Sequence, residues 1–198
     1  MSVLLVAGSP SEHSRSAALL EAVQQRLEEQ AGSRRLYVDR VQIRDLSPQA
    51  LLLADWNHAS VRRAIAQVEA ASALVIATPV YKAAYSGVLK VFLDLLPQTA
   101  LKGKVVLPLA TGGSPHHMLA LDYALRPVLQ SLGAKHILPG VYASDSQIPK
   151  NADGSYQIGD EIQGRLDEAV SALVNDGLRL PAKTGFDPVP FESVQYSV

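Results

Sequence analysis

The chain has 198 residues, a net charge of −1, 47% hydrophobic residues and no cysteine. That length and composition suit one folded domain with a real core and argue against a disordered chain. The near-neutral charge argues against a dedicated nucleic-acid binder, and the lack of cysteine removes disulfides, thiolate metal sites, iron–sulfur clusters and cysteine nucleophiles.

At the N-terminus, MSVLLVAGSP has no basic stretch, and its apolar run is too short for a signal peptide. No run is long enough to span a bilayer, so a cytoplasmic protein with no membrane partner is expected. VLLVAG (3–8) is continuously apolar and β-branched, the pattern of a strand buried on both faces. RSAALLEAVQQRLEEQ follows, with Leu19, Leu20, Val23 and Leu27 at helical spacing. LYVDRVQI (36–43) alternates and reads as a second strand nearer an edge. SVRRAIAQVEAA (60–71) is amphipathic, with Val61, Ile65 and Val68 on one stripe.

ALVIAT (73–78) is a second wholly apolar strand, and SGVLKVFLDLL (86–96) a helix ending near Pro97. KVVLPLAT (104–111) is a further buried strand, in which Pro108 predicts an irregularity. A helix is expected over 115–132, a fifth strand over 135–143 and a last helix over 160–178. Inside the first of these helices Pro127 has no N–H, so the carbonyl of Tyr123 loses its usual partner and a kink or π-bulge is expected. NADGSYQ (151–157) reads as a turn, and the proline- and aromatic-rich segment 179–198 as an extended tail outside a single domain spanning 1–178.

Apolar strands alternating with helices imply a parallel sheet covered on both faces. Five strands fit the flavodoxin-like order 2-1-3-4-5, in which ligands bind beyond the carboxyl ends of the strands, between strands 1 and 3. The loops to inspect are therefore GSPSEHSRS (8–16), TPVYKAAYSG (78–87) and TGGSPHH (111–117). The first carries Ser9, Ser11, Ser14, Arg15 and Ser16 ahead of a helix, which is the chemistry of a phosphate site. It is neither a P-loop nor a G-x-G-x-x-G fingerprint, and no acidic pair ends strand 1 to hold a hard cation. In the second loop, the backbone of Pro79, Val80, Tyr81 and Lys82 can pass along a planar ring, Tyr81 and Tyr85 serve either to wall it or as half-buried packing, and Ser86 and Gly87 permit close approach. Thr111, Gly112 and Gly113 offer main-chain N–H groups from the third. A phosphate plus a flat ring describes FMN. His116 and His117 point about 100° apart on a helix and do not suit one metal ion. Asp94 and Asp122 are expected to cap, pair or face water, and Arg34, Arg35, Arg62 and Arg63 to lie on solvated faces.

The motifs AGSP (7–10), SRS (14–16), ATPVYKAAYSGVLK (77–90), LKGKVVLPLATGG (101–113) and DYALRPVL (122–129) resemble those of the NAD(P)H-dependent FMN reductases of the flavodoxin-like superfamily. The similarity is greatest to the flavin reductases of two-component alkanesulfonate monooxygenase systems, and it covers about residues 1–150. It implies hydride transfer from NADPH, with NADH as the alternative, to an FMN that leaves for a partner monooxygenase. It also implies a homodimer or homotetramer, Ser9, Ser14, Arg15 and Ser16 on the phosphate, Pro79–Lys82 along the isoalloxazine and Thr111–Gly113 on its far border. No acid–base pair is needed, because the cofactors carry the chemistry. Tyr123 is expected in a π-helix at a subunit interface, where it tunes flavin exchange. An FMN-retaining quinone, azo or metal-oxyanion reductase, a flavodoxin-like electron carrier and a simple ligand-binding module are the competing readings.

Overall fold

Residues 1–31 and 36–178 are described in the computed structural model of the chain. Arg34, Arg35 and the expected tail at 179–198 lie outside them. Five strand positions form the sheet. In chain order its members are β1 (Ser2–Ala7), β2 (Tyr37–Gln42), β3 (Ala73–Tyr81), β4 (Ala84–Tyr85), β5 (Val105–Gly112), β6 (His136–Ile137) and β7 (Val141–Ser144). Parallel pairing runs β2-β1-β3-β5, with β6 and β7 sharing the far edge against β5. This is the expected 2-1-3-4-5 order, with β2 on an edge.

The continuous apolar runs follow from this layering. Alternate residues of a strand point to opposite faces, and here both faces are dry. Leu4, Val6, Leu74, Ile76, Val106 and Ala110 pack on one side with α3 (Ala59–Ala70), α4 (Gly87–Leu93) and α5 (Arg126–Ser131). Val3, Leu5, Val75, Leu107 and Leu109 pack on the other with α1 (Arg15–Ala31) and α6 (Asp160–Ala172). The predicted stripes are the buried ones: Leu19, Leu20, Val23 and Leu27 of α1, and Val61 and Val68 of α3, are fully inaccessible. Ile65 is only partly buried.

The differences are local and have physical causes. The fifth strand, expected as one run over 135–143, is broken into β6 and β7. The carbonyl of Val106 accepts from the Leu138 N–H, so Pro108, two residues on, turns its missing donor to the same side. A Cβ on Gly140 would come within 3.0 Å of the Pro108 carbonyl oxygen. The irregularity expected at Pro108 thus appears in its neighbour, while β5 itself stays continuous. A short helix, α2 (Pro48–Leu52), lies where no element was read. Ser47 caps it by accepting from the Ala50 N–H, and Pro48 stands in its first turn. The segment expected as one helix over 115–132 has three parts: a 3₁₀ turn at Pro115–Leu119, a π-helix at Leu121–Leu125, then α5. The last helix also widens into a π turn at Leu173–Gly177.

Candidate functional site

The carboxyl ends of β1, β3 and β5 lie side by side. Ala77 pairs with Ala7 and with Leu109, and Pro79 pairs with Thr111. The three loops singled out from the sequence therefore leave the sheet at one place. Gly8 draws the first loop onto the second: its N–H donates to the Ala77 carbonyl at 2.8 Å. A Cβ there would stand 3.0 Å from that oxygen and 3.1 Å from Leu89 Cβ, so a side chain would push the loops apart.

The first loop ends in α1. Ser14 is its N-cap, accepting from the Ala17 N–H at 3.1 Å, and its hydroxyl lies 3.2 Å from that of Ser16. Ser9 accepts from the Ser11 N–H at 3.1 Å. Ser9 and Ser16 are buried. Arg15 has partners that the sequence did not mark. Its Nε donates to the Ile148 carbonyl at 2.9 Å, one Nη lies 3.4 Å from Asp145, and the guanidinium stacks 5.3 Å above the Tyr156 ring. Asp145 and Ile148, in a stretch given no reading, and Tyr156, in the expected turn at 151–157, hold this arginine at the start of α1.

The second loop is a tight hairpin. Val80 and Tyr81 of β3 pair antiparallel with Tyr85 and Ala84 of β4. The two turn residues, Lys82 and Ala83, take φ of 51° and 63°. Two consecutive positive φ values mark a type I′ turn, which glycine and asparagine prefer. Neither stands here, so the hairpin tip stores backbone strain of the kind found at binding sites. The two tyrosines divide: Tyr81 is exposed, while Tyr85 packs partly buried against the core. Burial raises the Tyr85 pKa above the usual phenol value.

Ser86 starts the next helix, as expected, and is its N-cap. It is 0% exposed. Its hydroxyl donates to the Gly8 carbonyl and accepts from the Leu89 N–H, and its N–H donates to Thr78 Oγ1 at 3.0 Å. The hydroxyl's one proton thus goes to the first loop, and the side chain both caps α4 and ties loop one to loop two. Thr111 is buried as well, and Gly112 closes onto Val80. Gly113 alone of this trio is exposed.

Asp94 pairs with Lys90 one turn before it, at 2.6 Å, and Asp122 with Arg126 one turn after it, at 2.9 Å. Tyr123 stands in the π-helix and is 78% exposed. The Arg126 N–H reaches back five residues to the Leu121 carbonyl, a wider turn just ahead of the Pro127 ring.

This donor set fits FMN. Main-chain N–H groups at the start of a 17-residue helix, the capping hydroxyl and a neighbouring guanidinium suit a phosphate. The strip between the hairpin and the Thr111–Gly113 strand end suits a flat ring.

The sequence pattern of the NADPH-dependent FMN reductases matches residues 1–148. The chain belongs to that family. It is an oxidoreductase that works with FMN and a reduced nicotinamide cofactor. It is 46% identical over 173 residues to the FMN reductase (NADPH) of Escherichia coli K12, covering 87% of this chain and 88% of that one. It is 48% identical over 148 residues to the FMN reductase (NADPH) of Pseudomonas putida KT2440, covering 75% and 73%. Among solved structures, the apo form of the NADH:FMN oxidoreductase EMOB superposes with a TM-score of 0.79 at 38% identity, covering 91% of each chain. The described residues contain no helix long and apolar enough to cross a membrane.

Proposed function

We propose that this protein is a supply reductase: it uses NADPH to reduce FMN and releases the reduced flavin to a separate monooxygenase that desulfonates alkanesulfonates. The observation that carries the flavin site is the meeting of a hydroxyl-rich helix N-terminus with two loops from adjacent strand ends, Pro79 beside Thr111. Bound there, the nicotinamide and the flavin supply the hydride donor and the hydride acceptor. The chain's own part is to hold and orient. The α1 N-terminus, Ser14 and Arg15 take the phosphate. Main-chain groups of Pro79–Lys82 border one side of the ring, and those of Thr111–Gly113 the other. Lys82 places a cation at the hairpin tip. Ser9, Ser16 and Ser86 hold the loops in place from within.

Release to a partner fits the exposed surface around this end of the molecule. Tyr81, Met118, Leu119 and Tyr123 are all exposed apolar or aromatic surface near this end of the molecule. A homodimer or homotetramer, with Tyr123 at an interface, covers this surface and governs flavin exchange. Tyr123→Ala is expected to alter assembly in sedimentation analysis together with flavin affinity; unchanged assembly, affinity and turnover would remove this role.

The deciding experiment is NADPH oxidation by the purified protein with and without added FMN, together with its colour. A colourless protein active only with added FMN supports the supply-reductase reading. A yellow protein that needs a quinone or dye as acceptor would replace it with an FMN-retaining reductase. The ratio of kcat/KM for NADPH and NADH settles the donor; EMOB is an NADH:FMN oxidoreductase, and NADPH is expected here.

A further inference from the structure

The fifth strand was given no part in the site, yet its last residues brace two of the three loops. Asp145, just beyond β7, pairs with Arg15 of the first loop. Tyr142, within β7, reaches the third. It pairs with Ala110 of β5 and is 5% exposed. Its hydroxyl donates to the carbonyl of Ser114. That carbonyl also accepts from the His117 N–H at 3.1 Å, while the Ser114 side chain accepts from the His116 N–H. Ser114 is thus the residue at which the β5 loop turns into the helical run that leads to Tyr123, and Tyr142 holds it from below.

The same hydroxyl sets the shape of the loop. A Cβ on Gly112 would lie 2.7 Å from Tyr142 Oη and 3.3 Å from Val80 Cβ. Hence Gly112 is gripped between the phenol on one side and a residue of the second loop on the other. The main chain of β7 is itself fixed, because Arg165 donates to the Tyr142 carbonyl at 3.0 Å. The phenol therefore transmits the position of this strand to the glycine-containing loop.

We propose that Tyr142 is a positioning residue for flavin: its hydroxyl, through Ser114 and Gly112, sets the spacing between the third loop and Val80 and thereby the affinity for FMN. The inference rests on the flavin site proposed above. Tyr142→Phe keeps the ring and removes one hydrogen bond, which corresponds to a loss of about three- to tenfold. FMN affinity, read by quenching of flavin fluorescence without NADPH, is expected to weaken by that factor. The KM for FMN is expected to rise in parallel, with kcat at saturating flavin moving far less.

A second variant separates spacing from general loosening. Gly112→Ala drives a methyl group against the phenolic oxygen and is expected to weaken FMN binding more than Tyr142→Phe does. In the double variant the oxygen is gone, so affinity is expected to recover above that of Gly112→Ala alone. Additive losses, or a Tyr142→Phe protein that binds FMN like the wild type, would overturn the proposal. Should Gly112→Ala not fold, the Tyr142→Phe titration decides alone. A wild-type protein that bound no FMN would instead remove the underlying site.

Discussion

At the scale of single residues, buried side chains tie the three loops together. Ser86 shows this best. Replacing it with alanine removes the α4 cap and leaves the buried Gly8 carbonyl without its donor. A loss of about 2 kcal/mol is expected in urea unfolding. Ala83, at φ 63°, makes the opposite prediction. Ala83→Gly relieves a left-handed alanine and is expected to raise stability by about 0.5–1 kcal/mol, seen as a higher Tm. Tyr85 and Tyr142 add a pH dependence. Burial is the main cause that raises both phenols above their usual value; Asp145 adds to it for Tyr142. The folded state then holds these protons more tightly than the unfolded chain. Their contribution is complete below the unfolded phenol value near pH 10 and is lost as pH rises through the higher folded values. The urea midpoint is therefore expected to fall above pH 10, and less steeply in Tyr142→Phe.

At the scale of elements, the helical run after β5 is the unusual part. One continuous helix would set the Pro127 ring against the Tyr123 carbonyl. The π turn at Leu121–Leu125 widens the backbone first, and α5 then begins with proline in its first turn, where a missing N–H costs little. Pro127→Ala is accordingly expected to change stability by less than about 1 kcal/mol, against about 3 kcal/mol for a proline inside an exposed helix. Denaturant titration of the variant checks this. The α4 packing behaves in the ordinary way: Phe92 is buried between helix and sheet, and Phe92→Ala is expected to cost about 3–5 kcal/mol.

At the scale of the whole molecule, a ligand that binds only the folded state stabilises it by mass action. FMN at about 100 times its Kd adds about 2.7 kcal/mol and raises the Tm. Riboflavin has the ring without the phosphate, so at equal concentration it is expected to raise the Tm less. Equal shifts would mean that the α1 N-terminus and Arg15 do not hold the phosphate. Membership of the NADPH-dependent FMN reductases rests on 148 matched residues that include all three loops. The braces from β7 onward, Asp145 and Tyr142 among them, also fall within that span, whereas Tyr156 lies beyond it.

Much of this protein was legible without coordinates. Strands buried on both faces must be apolar at every position, so the β1, β3 and β5 runs announced themselves, and with the helices between them they implied the sheet order. That order alone brought the three loops together. Pro127 predicted a helical defect, because a missing N–H is a property of the residue itself. What each loop residue does depended on distant partners, which local pattern does not encode. Ser86 and Ser14 look alike in sequence and both cap helices, yet one is sealed under Gly8 and the other stands at the proposed phosphate site. Arg15 is steered by residues more than 120 positions away. Tyr142 lies in an apolar run with nothing to mark it, and only the folded chain sets its hydroxyl against Gly112 and Ser114. Composition and period determined the layers; long-range hydrogen bonds and close contacts, which exist only once the sheet has assembled, decided which side chains are left to meet a ligand.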